Sequence, residues 1–402
     1  SYTSYHATQN AAAFLSEHGF VALSEGEKWN LKRGGKYFVT RNGSSLIAFT
    51  LGKGNRFKIV ARHTASPCFK LKEYPAMQDA FTRLNTEPYG GGLWYTFFDR
   101  PLKIAGRIIE EENGILTAKL YESEYNVVVP SLAIHMNRDA NEKFVPDLQK
   151  ELPLYATGKA EFAVPANTVS YDLFAVCAES PFEYGVKGEF VCAPRVDNLT
   201  SVYSSLCALI EKCENGICVA ACLDNEEIGS RTRQGAGSDF LCATLGRVSE
   251  SLGFGGTEYL QALSSSFLIS LDNAHSLHPN HPEKCDPTNR AIMGGGVVIK
   301  GHAGGAYTSD ALSSAVIKTI MKNAGVKYQT FYNRSDMRSG STLGAISLSQ
   351  VSLPSVDLGL PQLAMHSAME TFCKTDYAEL EHALTAFYQS EIEISDNAVT
   401  VK

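Results

Sequence analysis

The run Leu199-Thr200-Ser201-Val202-Tyr203-Ser204-Ser205-Leu206-Cys207-Ala208-Leu209-Ile210 and the run Gly216-Ile217-Cys218-Val219-Ala220-Ala221-Cys222-Leu223, separated by a polar break, decide the fold. In the first, Leu199, Val202, Tyr203, Leu206, Leu209 and Ile210 recur at helical spacing, so the pattern predicts an amphipathic helix over 199–213. The second is short and apolar and reads as a buried strand over 216–223. Alternation of helix and buried strand implies a mainly parallel sheet covered on both faces. Towards the C-terminus, strands follow at 267–271, 297–300, 327–331 and 355–358. A second helix starts at 375 or 376 and buries Tyr377, Leu380, Leu384 and Phe387. Asp376 and Glu379 suit its positive N-terminal end. Towards the N-terminus, a helix over 7–19 precedes strands at 34–42, 45–50 and 57–62.

Between these halves the texture changes. Tyr89-Gly90-Gly91-Gly92 and Pro101 punctuate it, and 102–109, 115–121 and 127–132 read as strands with little helical periodicity. The expected architecture is an α/β/α sandwich on a mixed, mainly parallel sheet, formed by 1–72 plus 168–402. A β-rich domain at 73–167 interrupts it.

At 402 residues the chain can bury a sizeable core. Its 36 basic against 43 acidic side chains give a formal charge of -7, which disfavours nucleic acid and anionic membrane as partners. No apolar run is long enough to span a bilayer, and the opening residues lack the basic and apolar regions of a secretion signal. The ten cysteines are scattered without a C-x-x-C pair, so they read as reduced thiols of a cytoplasmic protein.

Several groups with metal-binding chemistry stand directly after expected strands. His63 follows 57–62, Glu226 and Glu227 follow 216–223, Asp272 follows 267–271, and His366 comes shortly after 355–358. Asp197 opens the 199–213 helix. In parallel α/β sheets the functional crevice lies beyond the carboxyl ends of the strands, so these groups converge on one rim. Imidazole with carboxylate suits zinc, cobalt or manganese. Taken singly, each has a plain structural reading: a hydrogen-bonded histidine, an N-capping Asp-Asn pair, a solvated Glu-Glu turn. Repeated placement at strand ends is what those readings do not explain.

The motifs resemble those of the aspartyl aminopeptidase family. His63-Thr64-Ala65-Ser66-Pro67 is similar to the family's His-Thr-Asp-Ser-Pro, and Tyr89-Gly90-Gly91-Gly92-Leu93-Trp94 with Phe98-Asp99-Arg100 to its glycine-rich signature. Pro194-Arg195-Val196-Asp197-Asn198-Leu199, Asp224-Asn225-Glu226-Glu227-Ile228-Gly229-Ser230 and Asp272-Asn273-Ala274-His275 also match. So do His278-Pro279-Asn280 and Leu363-Ala364-Met365-His366-Ser367, all in the family's order.

This resemblance implies a zinc-peptidase-like fold with two adjacent divalent metals, usually zinc, with cobalt or manganese as alternatives. It implies that Asp197 bridges them, that His63 and Asp272 complete one site and Glu227 and His366 the other, and that Glu226 is the general base. Lys300, in Gly296-Val297-Val298-Ile299-Lys300, is the implied cation for an acidic substrate side chain, with His275 and Tyr307 also facing the substrate. His135, in Ala133-Ile134-His135, is similar to an insert histidine that reaches a neighbouring subunit's site. The implied assembly is a large homo-oligomer, commonly a dodecamer, with the insert making dimer contacts. The implied substrates are short peptides with an N-terminal Asp or Glu.

Two departures stand out. Ala65 replaces an aspartate expected to orient the His63 ring, a loss that typically costs about 10–100-fold in metal affinity or activity. Arg338 and Ser339 differ from the residues expected before Gly340-Ser341-Thr342. Competing expectations are therefore a broader aminopeptidase or a deacylase of the same fold, and a non-catalytic assembly member favoured only by Ala65.

Overall fold

The computed structural model describes all residues except 79, 159–161, 212, 338, 339, 341 and 396–397. The departures at Arg338 and Ser339 thus lie outside the described residues.

A nine-stranded sheet forms the centre, in the order Val21–Leu23, Lys36–Arg41, Ser45–Leu51, Asn215–Leu223, Lys53–His63, Phe267–Leu271, Ser355–Gly359, Val297–Lys300, Tyr328–Phe331. The four strands from Asn215–Leu223 to Ser355–Gly359 are mutually parallel. Antiparallel pairings flank them at Ser45–Leu51 and Val297–Lys300. These central strands are largely buried and mostly apolar because side chains alternate between two covered faces, with Lys58, Arg62, Ser270 and Asp357 among the buried polar groups. On one face Val60, Cys218, Ala220, Ile269 and Val356 meet Val202, Leu206 and Leu209 of the helix Val196–Ile210, and Leu380, Leu384 and Phe387 of the helix Lys374–Gln389. On the other, Ile59, Ala61, Val219, Ala221 and Leu268 pack against Phe240, Leu245 and Val248 of the helix Phe240–Ser251 and Leu343 of the helix Leu343–Gln350. The α/β/α sandwich expected from the sequence is present.

A separate six-stranded antiparallel sheet, in the order Ile115–Val127, Leu102–Glu112, Thr168–Cys177, Cys68–Gln78, Thr82–Tyr89, Leu154–Thr157, makes the β-rich unit. Its pairing begins at Cys68 and closes with Thr168–Cys177, outside the sequence bounds of 73 and 167 on both sides. The sequence bounds assign 168 onward to the α/β half, but the strand Thr168–Cys177 lies between Leu102–Glu112 and Cys68–Gln78. Its second half, 173–177, is buried throughout, and a short continuous apolar run does not by itself say which sheet it joins.

Other details also differ. The helix expected over 199–213 runs Val196–Ile210, which brings Asp197 into its first turn, and Tyr203 is 54% exposed rather than on the buried face. The stretch 127–132 forms only isolated bridges at Val128 and Val129 beyond the end of Ile115–Val127. Cys213 and Cys218 are joined as a disulfide, correcting the expectation that all cysteines are reduced; the turn into Asn215–Leu223 folds them to a Cα separation of 6.5 Å.

Candidate metal centre

The parallel register places the candidate residues together. Leu223 pairs with His63, and Leu271 with Leu358, so these strands end at one level. Beyond that rim, His63 ends its strand, a short turn Glu226–Ile228 carries Glu226 and Glu227, and Asp272 follows Phe267–Leu271. The strand Ser355–Gly359 continues through Pro361–Leu363 to His366. Asp197 comes from the opposite direction. Arg195 takes a left-handed φ of 60°, and Asp197 itself is non-helical at φ -81°, ψ 108°, within the first turn of Val196–Ile210. The Asn198 side-chain amide donates to the Leu271 carbonyl at 2.9 Å, and that of Asn273 to the Val196 carbonyl at 3.0 Å, fastening this turn to the sheet rim.

The two oxygens of Asp197 face different imidazoles. His63 Nε2 lies 3.4 Å from Asp197 Oδ1 and 3.3 Å from Asp272 Oδ1. His366 Nε2 lies 3.4 Å from Asp197 Oδ2 and 3.6 Å from Glu227 Oε1. Two triads, His63–Asp197–Asp272 and Asp197–Glu227–His366, each offer ligand atoms within 4.8 Å of one another and share Asp197. A third, His63–Glu226–Glu227, brings Glu226 to the same place. Asp197 Oδ1 and Glu227 Oε1 are buried without a hydrogen-bond partner. Buried carboxylate oxygens left unmatched are costly unless a proton or cation completes them, and a mixed imidazole–carboxylate set with orphaned oxygens fits divalent metals.

Both rings are oriented by backbone. His63 Nδ1 lies 3.0 Å from the Ala65 carbonyl, and His366 Nδ1 lies 2.7 Å from the Gly91 carbonyl. With those contacts made by Nδ1–H, each Nε2 is left to face the carboxylates. Ala65 therefore does not leave the His63 ring unheld.

The charges are strongly interdependent. Burial would raise Asp197, yet His366 and His63 hold it far below the ordinary carboxylate range. Burial opposes protonation of His366, but Asp197 and then Glu227 push it up to about 10. Glu227 is pushed up to about 8, chiefly by burial. Burial is also the main reason Glu226 is pushed up to about 7, His63 working against it and Asp272 and Asp197 with it.

The remaining sequence candidates are placed differently. Lys300 is 2% exposed, its Nζ 3.6 Å from Asp272 Oδ2, 3.2 Å from the Asn273 carbonyl and 5.0 Å from the centre of the Tyr307 ring. His275 is exposed at the rim, its ring 6.4 Å from that of Phe331. His135 is exposed in a turn of the β-rich unit, and no described hydrogen bond or ion pair ties it to the centre. Sequence reasoning gave no role to Glu370, whose buried carboxylate accepts the backbone N–H groups of Asp197 and His366. Its only signal was a charged residue at the head of an otherwise apolar stretch.

Comparison with known proteins agrees with this geometry. Residues 1–162 and 154–388 match the family described as "Aminopeptidase I zinc metalloprotease (M18)". A Clostridium acetobutylicum protein named "Probable M18 family aminopeptidase 2" is 40% identical over 410 residues, covering 96% of this chain and 95% of its own. Among solved structures, one titled as the Ape4 and Nbr1 complex superposes with a TM-score of 0.90 at 33% identity, covering 96% of this chain and 83% of that one. The S. cerevisiae mApe1 dodecamer superposes at 0.81 with 25% identity, covering 96% and 93%. Family match, near full-length identity and fold agree with the motif resemblance: the chain belongs to the M18 family of zinc aminopeptidases.

Proposed function

We propose that the chain is a two-metal aminopeptidase that removes an N-terminal Asp or Glu from short peptides. The observation that carries this reading is the division of the two Asp197 oxygens between the His63–Asp272 and His366–Glu227 pairs. Asp197, His63 and Asp272 would hold one ion, and Asp197, Glu227 and His366 the other. A metal pair there supplies Lewis-acid polarisation of the scissile carbonyl and a water of lowered pKa.

The protein's own groups do the rest. Glu226 accepts the proton of the attacking water and passes it to the leaving amine, a task suited to a carboxylate that stands beside the metal ligands His63 and Glu227. The carbonyls of Ala65 and Gly91 keep both imidazoles turned towards the centre. Lys300 is the cation for an acidic side chain, with Tyr307 beneath its ammonium and His275 at the rim. By analogy with the dodecameric relative, the chain assembles with copies of itself; the motif resemblance adds that the β-rich unit makes dimer contacts and that His135 serves a neighbouring site.

A second reading is favoured by the approach of Lys300 to Asp272. If that contact occupies the ammonium, Lys300 supports a ligand and the enzyme is a broader aminopeptidase. The test is metal analysis of purified protein with kcat/KM for peptides beginning with Asp, Glu, Leu or an acylated residue. Two zinc ions per chain and acidic preference support the proposal, and Lys300→Gln should then lower kcat/KM selectively for acidic peptides. Equal loss on every peptide favours the second reading. Cleavage of acylated peptides alone, or no metal uptake, defeats both.

A further inference from the structure

We propose that Glu370 is a positioning residue that sets the spacing between Asp197 and His366 by clamping their two backbone amides. The inference rests on reading those two residues as metal ligands.

Glu370 opens the middle strand of a five-stranded sheet with the order Phe182–Tyr184, Phe190–Ala193, Glu370–Cys373, Pro361–Leu363, Ala274–His275. Its two neighbours are the strands that deliver the ligands. Phe190–Ala193 leads through Pro194 and Arg195 to Asp197, and Pro361–Leu363 leads to His366. Ala193 is the Cα partner of Glu370, so the carboxylate stands where one delivering strand ends. Oε2 accepts the Asp197 N–H at 2.9 Å, and Oε1 accepts the His366 N–H at 2.7 Å. The Gln362 side-chain amide donates to Oε1 at 3.4 Å, and its own oxygen accepts from Asn273 at 2.8 Å.

The clamp acts on backbone that needs holding. His366 sits at φ 67° and Arg195, two residues before Asp197, at φ 60°. Non-glycine residues keep left-handed conformations where several contacts over-determine them. Glu370 is 2% exposed, so water does not substitute for it. Each oxygen of the Glu370 carboxyl accepts from a different amide. Glutamine keeps one acceptor and sets an NH2 donor against the other N–H, so Glu370→Gln removes half of the clamp with little change in volume.

The experiment compares full-length wild type, Glu370→Gln and Asp197→Asn. It measures zinc per chain, the chelator concentration that removes half of it, kcat and KM on a peptide substrate, and the urea midpoint of the zinc-free protein. Glu370→Gln should release zinc at about 10–100-fold lower chelator, with a larger change in kcat than in KM. If only the urea midpoint moves and zinc release matches wild type, the residue is merely structural and the proposal is overturned. Asp197→Asn separates the two levels: if it keeps full zinc, the metal reading fails by itself. If it loses zinc while Glu370→Gln does not, only the positioning role fails. Should Glu370→Gln not fold, hydrogen exchange on zinc-free wild type decides. Persistent protection at the Asp197 and His366 amides supports the clamp, and exchange at the rate of the exposed loops overturns it.

Discussion

At His63 the ring nitrogen turned away from the centre meets the Ala65 carbonyl at 3.0 Å, so the group that orients the ring belongs to the main chain. A side chain at position 65 is not needed for that bond. Ala65→Gly, which deletes a methyl and keeps the carbonyl, should leave the zinc content of the purified protein unchanged. A marked loss would show that the buried methyl, 3% exposed, holds the loop in place. Glu226 carries a different expectation. It stands outside both triads that share Asp197, so Glu226→Gln should keep bound zinc while kcat falls about 10²–10⁴-fold, the usual contribution of a general base. Steady-state kinetics beside zinc analysis on the same preparation checks it; parallel loss of metal would make Glu226 a ligand instead.

The glycine-rich turn after Thr82–Tyr89 is where one element reaches across to serve another. Gly91 supplies the carbonyl for His366 Nδ1, the Leu93 N–H donates to the His366 carbonyl at 2.9 Å, and Asn225 donates to the Tyr89 hydroxyl at 2.8 Å. Gly90 has φ 77°, and a Cβ built there would lie 3.0 Å from Glu227 Cβ and 3.2 Å from its Oε2. Gly90→Ala should therefore cost about 1–2 kcal/mol for the left-handed backbone alone and displace Glu227 as well. A lowered urea midpoint together with easier zinc release is the expected outcome, and release unchanged from wild type would separate the turn from the centre. The glycine run is legible in the sequence, and the strand-end rule alone brings His63, Glu226, Glu227, Asp272 and His366 to one rim. It worked because the parallel register gives the strands a common end. Glu370 stayed hidden for a physical reason: it acts through hydrogen bonds to the backbone amides of Asp197 and His366, and backbone partners leave no mark on residue spacing. The sequence bounds place the stretch from 168 in the wrong unit because 173–177 is a short, fully buried apolar run, and such a run does not reveal which sheet it joins.

Across the whole molecule, Asp172 binds the β-rich sheet to the main sandwich. Its carboxylate accepts from the Tyr5 hydroxyl of the helix Ser4–Glu17 at 3.0 Å and from Arg107 Nε at 3.0 Å, and it pairs with Lys70 at 3.2 Å. Arg107 also donates to the Asn42 carbonyl at 2.9 Å, between the strands Lys36–Arg41 and Ser45–Leu51. Burial would raise the Asp172 carboxyl, but Lys70 and then Arg107 outweigh it and hold it below the ordinary aspartate value. The folded state therefore binds this proton less readily than the unfolded chain. Its stabilising contribution is complete above the unfolded value, near 3.9 for aspartate, and is lost as pH falls through the lowered folded value. Asp172→Asn removes the charge at every pH, so it should lower stability at pH 7 by about 1–3 kcal/mol, the range for hydrogen bonds to charged groups. The deficit relative to wild type should shrink as both proteins are taken below pH 4. Urea unfolding of both proteins from pH 7 to pH 3, followed through the signal of each unit, measures this. A deficit that stays constant across that range would mean that shape rather than charge joins the two units at Asp172.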